Sequence, residues 1–240
     1  MSLLRLSGLR AGYGQADVLR GVDLEAAAGS ITCVIGPNGA GKSTILKVLS
    51  GLLKPRRGTV ELDGESIGGL SPAAILGRGV VHVPQERSLF PLMTIWDNML
   101  IGGHSLRDRA LVARRAEAVA ERFPIVAERR HERAGTLSGG QQKLIEIARS
   151  LMLDPRLILL DEPTMGLDAR SRTAVFETIA GLNEDGRTVL LVEQNARLGL
   201  SVADVGAVMD MGVVRIAGPA ASLLDDARVA ALYLGGAAAA

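Results

Sequence analysis

The sequence has little cysteine, almost no net charge and no long apolar run, and each shortage excludes a class of protein. The single cysteine, Cys33 in SITCVI, cannot form an intramolecular disulfide, and inside an apolar stretch it is expected to be a small core residue. The 27 basic and 26 acidic residues leave a net charge of +1, so the chain lacks the basic surplus typical of nucleic-acid-binding proteins. Its 240 residues are enough for a stable core.

The absence of long apolar runs also bears on the membrane. No run approaches the roughly 18 apolar residues that a spanning helix needs. Arg5 and Arg10 interrupt the opening MSLLRLSGLRAG before an apolar segment of signal-peptide length is complete. We therefore expect a cytosolic protein that is soluble when isolated, and any work at a membrane is expected to require docking onto another subunit.

The apolar stretches that are present predict an α/β fold. They show no polar alternation, which is typical of strands covered on both faces in a parallel sheet. These stretches are SITCVI, GVVHVP, RLILLD and RTVLLVE. At the front of the chain, LLRLSGLR, VLRGVDLEA and GTVELDG mix polar and apolar residues, which indicates a smaller antiparallel β unit.

The middle of the chain has a different pattern. Residues from about 91 to 153 contain no convincing strand but three helix-like stretches, TIWDNMLIGG, RDRALVARRAEAVAERF and QQKLIEIARSLML. We predict a helical subdomain here, inserted into a core formed by residues 1–90 and 154–235. The low-complexity end, 236–240, is expected to be frayed.

A glycine-rich stretch directly after SITCVI carries the first chemical signal. GPNGAGKST fits G-x-x-x-x-G-K-[ST], between an apolar strand and a helix-like segment. Its backbone N–H groups and the helix N-terminus suit phosphate oxygens, the lysine adds a full charge and the serine offers a hydroxyl to Mg²⁺. With only 4 lysines in the chain, a chance match is improbable. The predicted nucleoside-triphosphate cradle is Gly36, Pro37, Asn38, Gly39, Ala40, Gly41, Lys42, Ser43 and Thr44.

A pair of carboxylates ends the later strand RLILLDEPT. Successive side chains of a strand point to opposite sides, so Asp161 and Glu162 are expected to do different work. We predict that Asp161 holds the Mg²⁺ shell and that Glu162 orients the attacking water or accepts its proton.

The stretch LSGGQQKLIEIARSL resembles the signature of ABC-type ATPases, and with GPNGAGKST and DEP the resemblance covers residues 3 to about 235. It implies a P-loop NTPase core with a RecA-like parallel sheet, an N-terminal antiparallel β subdomain and an inserted helical subdomain. It also implies ATP as substrate, Mg²⁺ as cofactor and an ATPase coupled to transmembrane transport. The signature residues that would bind ATP are Ser138, Gly139, Gly140 and Gln141.

Further residues are assigned by the same resemblance. Tyr13 matches the aromatic that stacks on adenine, and GLD at 166–168 matches a loop at the dimer interface. Gln85 matches a glutamine that links the metal to the helical subdomain, so the implied metal set is Ser43, Gln85 and Asp161. Exposed Phe90 and Trp96 would suit a docking surface for a membrane subunit, although Trp96 fits a core role at least as well.

Partners follow from the same family pattern. Two ATPase subunits face each other head to tail, and each ATP lies between one cradle and the other subunit's LSGGQ. The expected partners are therefore a second ABC ATPase subunit, integral membrane permeases and, indirectly, an extracytoplasmic substrate-binding protein. A heterodimer is expected, and a homodimer can form in isolation. The implied location is peripheral, at the cytoplasmic face of the inner (plasma) membrane, with no nucleic acid bound.

The later part of the chain suggests a subtype. VEQNARLGLSVADVGAVMDMGVVRIAG and the YLGG near the end are similar to ATPase subunits of branched-chain (hydrophobic) amino acid importers, and urea and amide importers use closely related subunits. A soluble ABC-type ATPase acting as a nucleotide switch in DNA repair or translation is the alternative from another class. A P-loop small-molecule kinase would leave LSGGQ unexplained.

One position departs from the family pattern. ABC ATPases usually carry a histidine after the last core strand, and LLVEQN places Gln194 there. A glutamine can donate and accept hydrogen bonds but cannot become cationic. We predict a catalytic role for Glu162 and Gln194 in a slower site, paired with a faster site on a different partner ATPase. The alternative is that both sites are equally active.

Overall fold

The structure is a computed structural model that describes residues 2–229, so the predicted frayed tail at 236–240 and the YLGG motif lie outside the described residues. The chain divides into two compact units. The first comprises the described residues up to His82, the segment Arg156–Glu162 and the described residues from Ile179 onward. The second comprises Val83–Pro155 and Pro163–Thr178.

The strands belong to the first unit, except that the last residue of β6 belongs to the second. They are β1 (Ser2–Tyr13), β2 (Ala16–Ala27), β3 (Ile31–Ile35), β4 (Arg57–Leu62), β5 (Glu65–Ser66), β6 (Val80–Val83), β7 (Leu157–Asp161), β8 (Thr188–Glu193), β9 (Val205–Asp210) and β10 (Val213–Pro219). The helices of this unit are α1 (Lys42–Leu49), α2 (Pro72–Gly77), α8 (Ala196–Ser201) and α9 (Ala220–Leu224).

Within residues 2–229, the front of the chain forms a four-stranded sheet in the order β2-β1-β4-β5. Its neighbouring strands are antiparallel. Polar and apolar residues mix along β1 because only some of its side chains, such as Leu4, Leu6 and Leu9, are buried in the core. The predicted antiparallel β unit is confirmed.

The described residues also form a six-stranded sheet in the order β10-β9-β3-β8-β7-β6. The pairs β9-β3, β3-β8 and β8-β7 are parallel, and the pair β10-β9 is antiparallel. All residues of β3, β7 and β8 are buried, which explains why their sequences lack polar alternation. The predicted parallel α/β core is therefore confirmed.

This topology brings the ends of three strands together. Strand β8 lies between β3 and β7, and all three run in the same direction. The register pairs Ile35 with Glu193 and Asp161 with Val192, so the segments that follow these strands leave the sheet at the same edge. The carboxyl edge of a parallel sheet is where α/β proteins bind their ligands.

The second unit is mainly helical. It contains α3 (Ile95–Gly102), α4 (Arg109–Arg122), α5 (Pro124–Glu128) and α6 (Gly139–Ser150), and α7 (Ala169–Glu184) begins in it and ends in the first unit. Helix α3 begins after Thr94, whose side chain forms a capping box with Asp97. No helix within residues 2–229 has both the length and the apolar character needed to cross a lipid bilayer.

Candidate functional site

The predicted phosphate loop, residues 36–44, connects the buried strand β3 to helix α1. The helix begins at Lys42, as the sequence predicts, and its N-cap Gly41 has a left-handed backbone with φ of 106°. Gly39 also has a positive φ, 81°. The amide of Ala40 donates to the carbonyl of Pro37, which forms a tight turn within the loop. The N-terminus of α1 has no side-chain cap, which leaves its N–H groups available to an anion.

Two glycines of this loop lie against neighbouring chain. A Cβ on Gly36 would lie 2.2 Å from the Met209 carbonyl oxygen, and one on Gly41 would lie 2.9 Å from Met209 Cε. Packing against the Met209 carbonyl therefore requires glycine at position 36. At position 41 the neighbours are side-chain atoms that can move, and the left-handed φ favours glycine instead. The spacing of the motif revealed the glycines but not this reason.

Lys42 extends back along the loop. Its Nζ donates to the carbonyl oxygens of Gly36 and Pro37, at 2.9 and 3.3 Å, and lies 3.3 Å from Glu162 Oε1. Both charged side chains are nearly buried. Because a buried ammonium requires acceptors and a counter-charge, these contacts hold a positive charge beside the first two residues of the loop.

Ser43 and Asp161 also come together. Ser43 Oγ donates to Asp161 Oδ1 at 2.9 Å, and burial raises the pKa of this carboxyl while the Ser43 hydrogen bond opposes the rise. A hydroxyl and a carboxylate are hard oxygen donors of the kind that Mg²⁺ prefers, and Mg²⁺ usually binds few protein ligands because it keeps waters and substrate phosphates. Among the described residues no group of three or more His, Cys, Asp or Glu could hold a metal. The hydroxyl and the carboxylate by themselves fit a Mg²⁺ ion whose other ligands are water and phosphate.

Glu162 lies outside strand β7, which ends at Asp161. Its backbone is left-handed, with φ of 42°, and its N–H donates to the carbonyl of Val192. Strand alternation predicted that the two carboxylates point to different sides. In the structure the separation instead comes from a left-handed residue, a conformation that costs a non-glycine roughly 1 kcal/mol and often occurs at functional sites.

The three polar residues after β8 have different environments. Glu193 is the last residue of the strand and is buried. Burial of the Cys33 thiol, followed by the nearby charge of Glu193, raises the pKa of that thiol. Asn195 caps α8, since its Oδ1 accepts from the Leu198 amide. Between them, Gln194 is exposed at the same sheet edge as Ile35 and Asp161.

Tyr13 ends strand β1 and is 50% exposed. Lys47 Nζ lies 5.7 Å from the centroid of its ring, a cation–π distance. A ring with this exposure has a face available for stacking, and its predicted contact with adenine stays a prediction.

The predicted signature residues begin helix α6 in the second unit. Ser138 and Gln141 form a capping box, in which Ser138 Oγ accepts from the Gln141 amide and Gln141 Oε1 accepts from the Ser138 amide. A Cβ on Gly140 would lie 2.4 Å from the Ser171 side chain. The small residues thus allow Ser171 to lie close to the first turn of α6.

Gln85 and the GLD loop also belong to this unit. Gln85 Nε2 donates to Met165 Sδ at 2.8 Å. Asp168 accepts from both the amide and the hydroxyl of Ser171, and these hydrogen bonds lower its pKa. The links predicted for Gln85 to the metal and for GLD to a dimer interface stay predictions.

The two aromatic residues proposed for docking differ in exposure. Phe90 is half exposed, whereas Trp96 is partly buried and Arg130 lies over its ring, 4.4 Å from the centroid. This environment favours the structural role of Trp96 that the sequence left open.

A buried charged cluster on α6 was missed at the sequence level. Lys143 Nζ lies 2.6 Å from Glu146 Oε2 and donates to the Pro84 carbonyl. Glu146 Oε1 accepts from the amide and hydroxyl of Ser88, and Arg149 donates to the Ser88 carbonyl and hydroxyl. These contacts attach the segment that contains Gln85 to the helix that LSGGQ begins. Charged residues at three-residue intervals among the apolar residues of QQKLIEIARSL were the available signal.

Comparisons with known proteins agree with this geometry. The family model described as ABC transporter matches residues 19–165. The chain is 39% identical to the high-affinity branched-chain amino acid transport ATP-binding protein BraG of Pseudomonas aeruginosa, over 93% of this chain and 96% of that protein. It is 35% identical to BraF of the same organism, which has the same descriptive name, over 97% and 98%.

Similarity extends to other transport systems and to solved structures. The chain is 32% identical to the lipopolysaccharide export system ATP-binding protein LptB of Haemophilus influenzae, over 98% of each chain. A crystal structure of an ATP-binding cassette of an ABC transporter in its ADP conformation matches with a TM-score of 0.88 at 30% identity, covering 98% of this chain and 99% of that one.

Proposed function

Because this chain belongs to the ABC transporter family of ATPases, we propose that it powers an importer of branched-chain or other hydrophobic amino acids. The observation that carries the choice of cargo is the 39% identity to BraG over nearly the full length of both proteins. The match to LptB leaves a second transport class as an alternative, because that relative is named for lipopolysaccharide export.

ATP hydrolysis is supported by the grouping of Lys42, Ser43, Asp161 and Glu162. In the proposed mechanism, loop N–H groups and Lys42 bind the phosphates, and Lys42 offsets charge that develops on the transferred phosphoryl group. Ser43 and Asp161 would hold Mg²⁺, which when bound neutralises phosphate charge.

Glu162 is the proposed catalytic carboxylate. It would orient a water in line with the γ-phosphate and accept its proton, a role that typically contributes 10²- to 10⁴-fold to rate. Its left-handed backbone and its contact with Lys42 support this role because they fix where the carboxylate lies.

Transport requires the second unit and a partner ATPase. The N-terminus of α6, at Ser138, would bind the ATP held by the partner's loop, and hydrolysis would release the pair. Permeases in the membrane would supply the transport path, so the chain would act peripherally at the cytoplasmic face.

Gln194 supports an unequal pair of sites. It is exposed at the edge of the sheet where β7 ends in Asp161. In place of the ionisable histidine usual in the family, it has a neutral amide. One organism has two different relatives of the same descriptive name, BraG and BraF, which is consistent with a heterodimer of related ATPases.

The cargo is tested by reconstitution with the permeases and binding protein encoded by neighbouring genes. We expect ATP-dependent uptake of leucine, isoleucine and valine into vesicles. It should be lost when Glu162 and the matching carboxylate of the partner ATPase are both replaced by Gln, and kept in the exposed control Glu177→Gln. Uptake of urea or amides alone, or extraction of lipopolysaccharide, would contradict the proposal that the cargo is a branched-chain amino acid. Failure to associate with any membrane subunit would favour a soluble nucleotide switch.

Asymmetry is tested in the same assembly. Glu162→Gln in this chain is expected to leave most of the ATP turnover, whereas the matching change in the partner removes it. Equal losses from the two changes would show equally active sites.

A further inference from the structure

The turn between β9 and β10, residues Met211 and Gly212, contacts the outside of the phosphate loop. The Gly212 amide donates to the Ala40 carbonyl at 2.9 Å, and the Gly212 carbonyl accepts from the Arg20 amide at 2.8 Å. The turn is thus hydrogen-bonded to the loop on one side and to strand β2 on the other.

The hairpin also limits the loop sterically. The carbonyl of its residue Met209 leaves no room for a side chain at Gly36, and the Met209 side chain lies close to Gly41. The hairpin therefore contacts the loop near Gly36, Ala40 and Gly41.

Because of peptide geometry, this contact also fixes the direction of the neighbouring Gly41 N–H. A trans peptide is planar, so the Ala40 carbonyl and the Gly41 N–H point in opposite directions. Holding the carbonyl toward the turn therefore aims the N–H away from the turn. We propose that Gly212 is a positioning residue for ATP, because its hydrogen bond to Ala40 directs the Gly41 N–H toward the phosphates. This inference rests on ATP binding at the loop and not on the cargo.

The turn can be disturbed by a single methyl group. Met211 and Gly212 have φ of 46° and 85°, the positive values of a two-residue type I′ hairpin turn. A Cβ on Gly212 would lie 2.0 Å from the Val18 carbonyl oxygen, so Gly212→Ala must displace the turn.

Gly58 offers a matched control. It has φ of 84°, and a Cβ there would lie 2.5 Å from the Gly8 carbonyl oxygen, in the antiparallel sheet. Gly58→Ala therefore introduces the same kind of strain and the same kind of clash at a position outside the phosphate loop.

The test is the Kd for ATP of the isolated chain, measured by calorimetric titration. We expect Gly212→Ala to raise the Kd about tenfold, as for the loss of one organising hydrogen bond, and Gly58→Ala to change it less than about twofold. Both variants are expected to lower Tm. Equal Kd values for Gly212→Ala and wild type, or equal increases in both variants, would overturn the inference.

Hydrogen exchange of the wild-type chain provides a test that does not depend on a variant folding. A bound non-hydrolysable ATP analogue is expected to slow amide exchange at residues 211–213 and leave the turn at 63–65 unchanged. Unchanged exchange at 211–213 would overturn the inference alone, whereas a wild-type chain that bound no ATP would overturn the proposed function as well.

Discussion

Lys42 Nζ lies 3.3 Å from Glu162 Oε1, and the two side chains are only 4% and 8% exposed. Charges this far from water depend on their neighbours, because desolvation costs several kcal/mol per ion. Removing either partner is therefore expected to destabilise the fold, apart from any effect on the proposed chemistry.

Replacing the two partners separately and together measures this dependence. Lys42→Met is expected to lower the free energy of unfolding by about 3 kcal/mol, because it removes the cation beside a buried carboxylate. Glu162→Gln is expected to cost less, since Lys42 keeps the carbonyls of Gly36 and Pro37 as acceptors. In urea denaturation, the double variant should lose less than the sum of the single losses. Losses that add within about 0.5 kcal/mol would show that the pair is not coupled.

Gln194→His restores a side chain that can carry a positive charge. A charged donor forms a stronger hydrogen bond to a phosphate oxygen than a neutral amide does, so ATP turnover is expected to rise by up to roughly tenfold. The increase should be largest below pH 6.5, where imidazole is protonated. Phosphate release across a pH series measures it, with Arg197→His as the exposed control. Turnover equal to wild type at every pH would contradict a phosphate contact at position 194.

His82 makes stability depend on pH. Burial, followed by the charge of Lys47, lowers the pKa of this histidine to about 4, and its Nε2 is buried without a hydrogen-bond partner. Between about pH 6.5 and 4 the unfolded chain binds a proton at His82 that the folded chain does not, so stability falls as the pH falls. The loss should approach about 3 kcal/mol near pH 4.

A substitution isolates that contribution. The difference in unfolding free energy between pH 7 and pH 4.5 should be smaller in His82→Asn than in wild type and unchanged in the exposed control His131→Gln. The same pH dependence in all three proteins would show that His82 is not the group responsible.

The Lys143–Glu146 pair on α6 is expected to be sensitive to truncation. Glu146→Ala removes both the counter-charge of Lys143 and the acceptor of the Ser88 amide, and should cost about 3–5 kcal/mol. The exposed control Glu121→Ala should change stability by less than about 0.5 kcal/mol. Similar denaturation midpoints for the two variants would contradict the importance of the cluster.

Sequence patterns predicted the strands and loops whose structure depends on residues close to one another in the chain. Unbroken apolar runs identified β3, β7 and β8, and the G-x-x-x-x-G-K-[ST] spacing identified a loop that ends where α1 begins at Lys42. Because parallel strands end at one edge of a sheet, the segments that follow these strands lie near one another.

Contacts between distant segments could not be predicted in this way. Nothing local to Glu162 signals its left-handed φ, and nothing local to Gly212 signals its bond to Ala40. Both depend on which strands become neighbours, and a single sequence gives no direct measure of that. The same limit applies to the three polar residues after β8. The sequence alone does not distinguish the buried carboxylate of Glu193, the exposed amide of Gln194 and the helix cap Asn195.

The hydrogen bond between Gly212 and Ala40 also sets an order of events during synthesis. The ribosome completes the glycine-rich loop early, but the hairpin that supports it is made near the end of the described chain. Strand β3 likewise lacks both of its parallel neighbours, β8 and β9, until that late stage. A nascent chain released before residue 212 would carry the whole nucleotide motif without these contacts, and we expect nucleotide to stabilise only chains whose synthesis has passed that point.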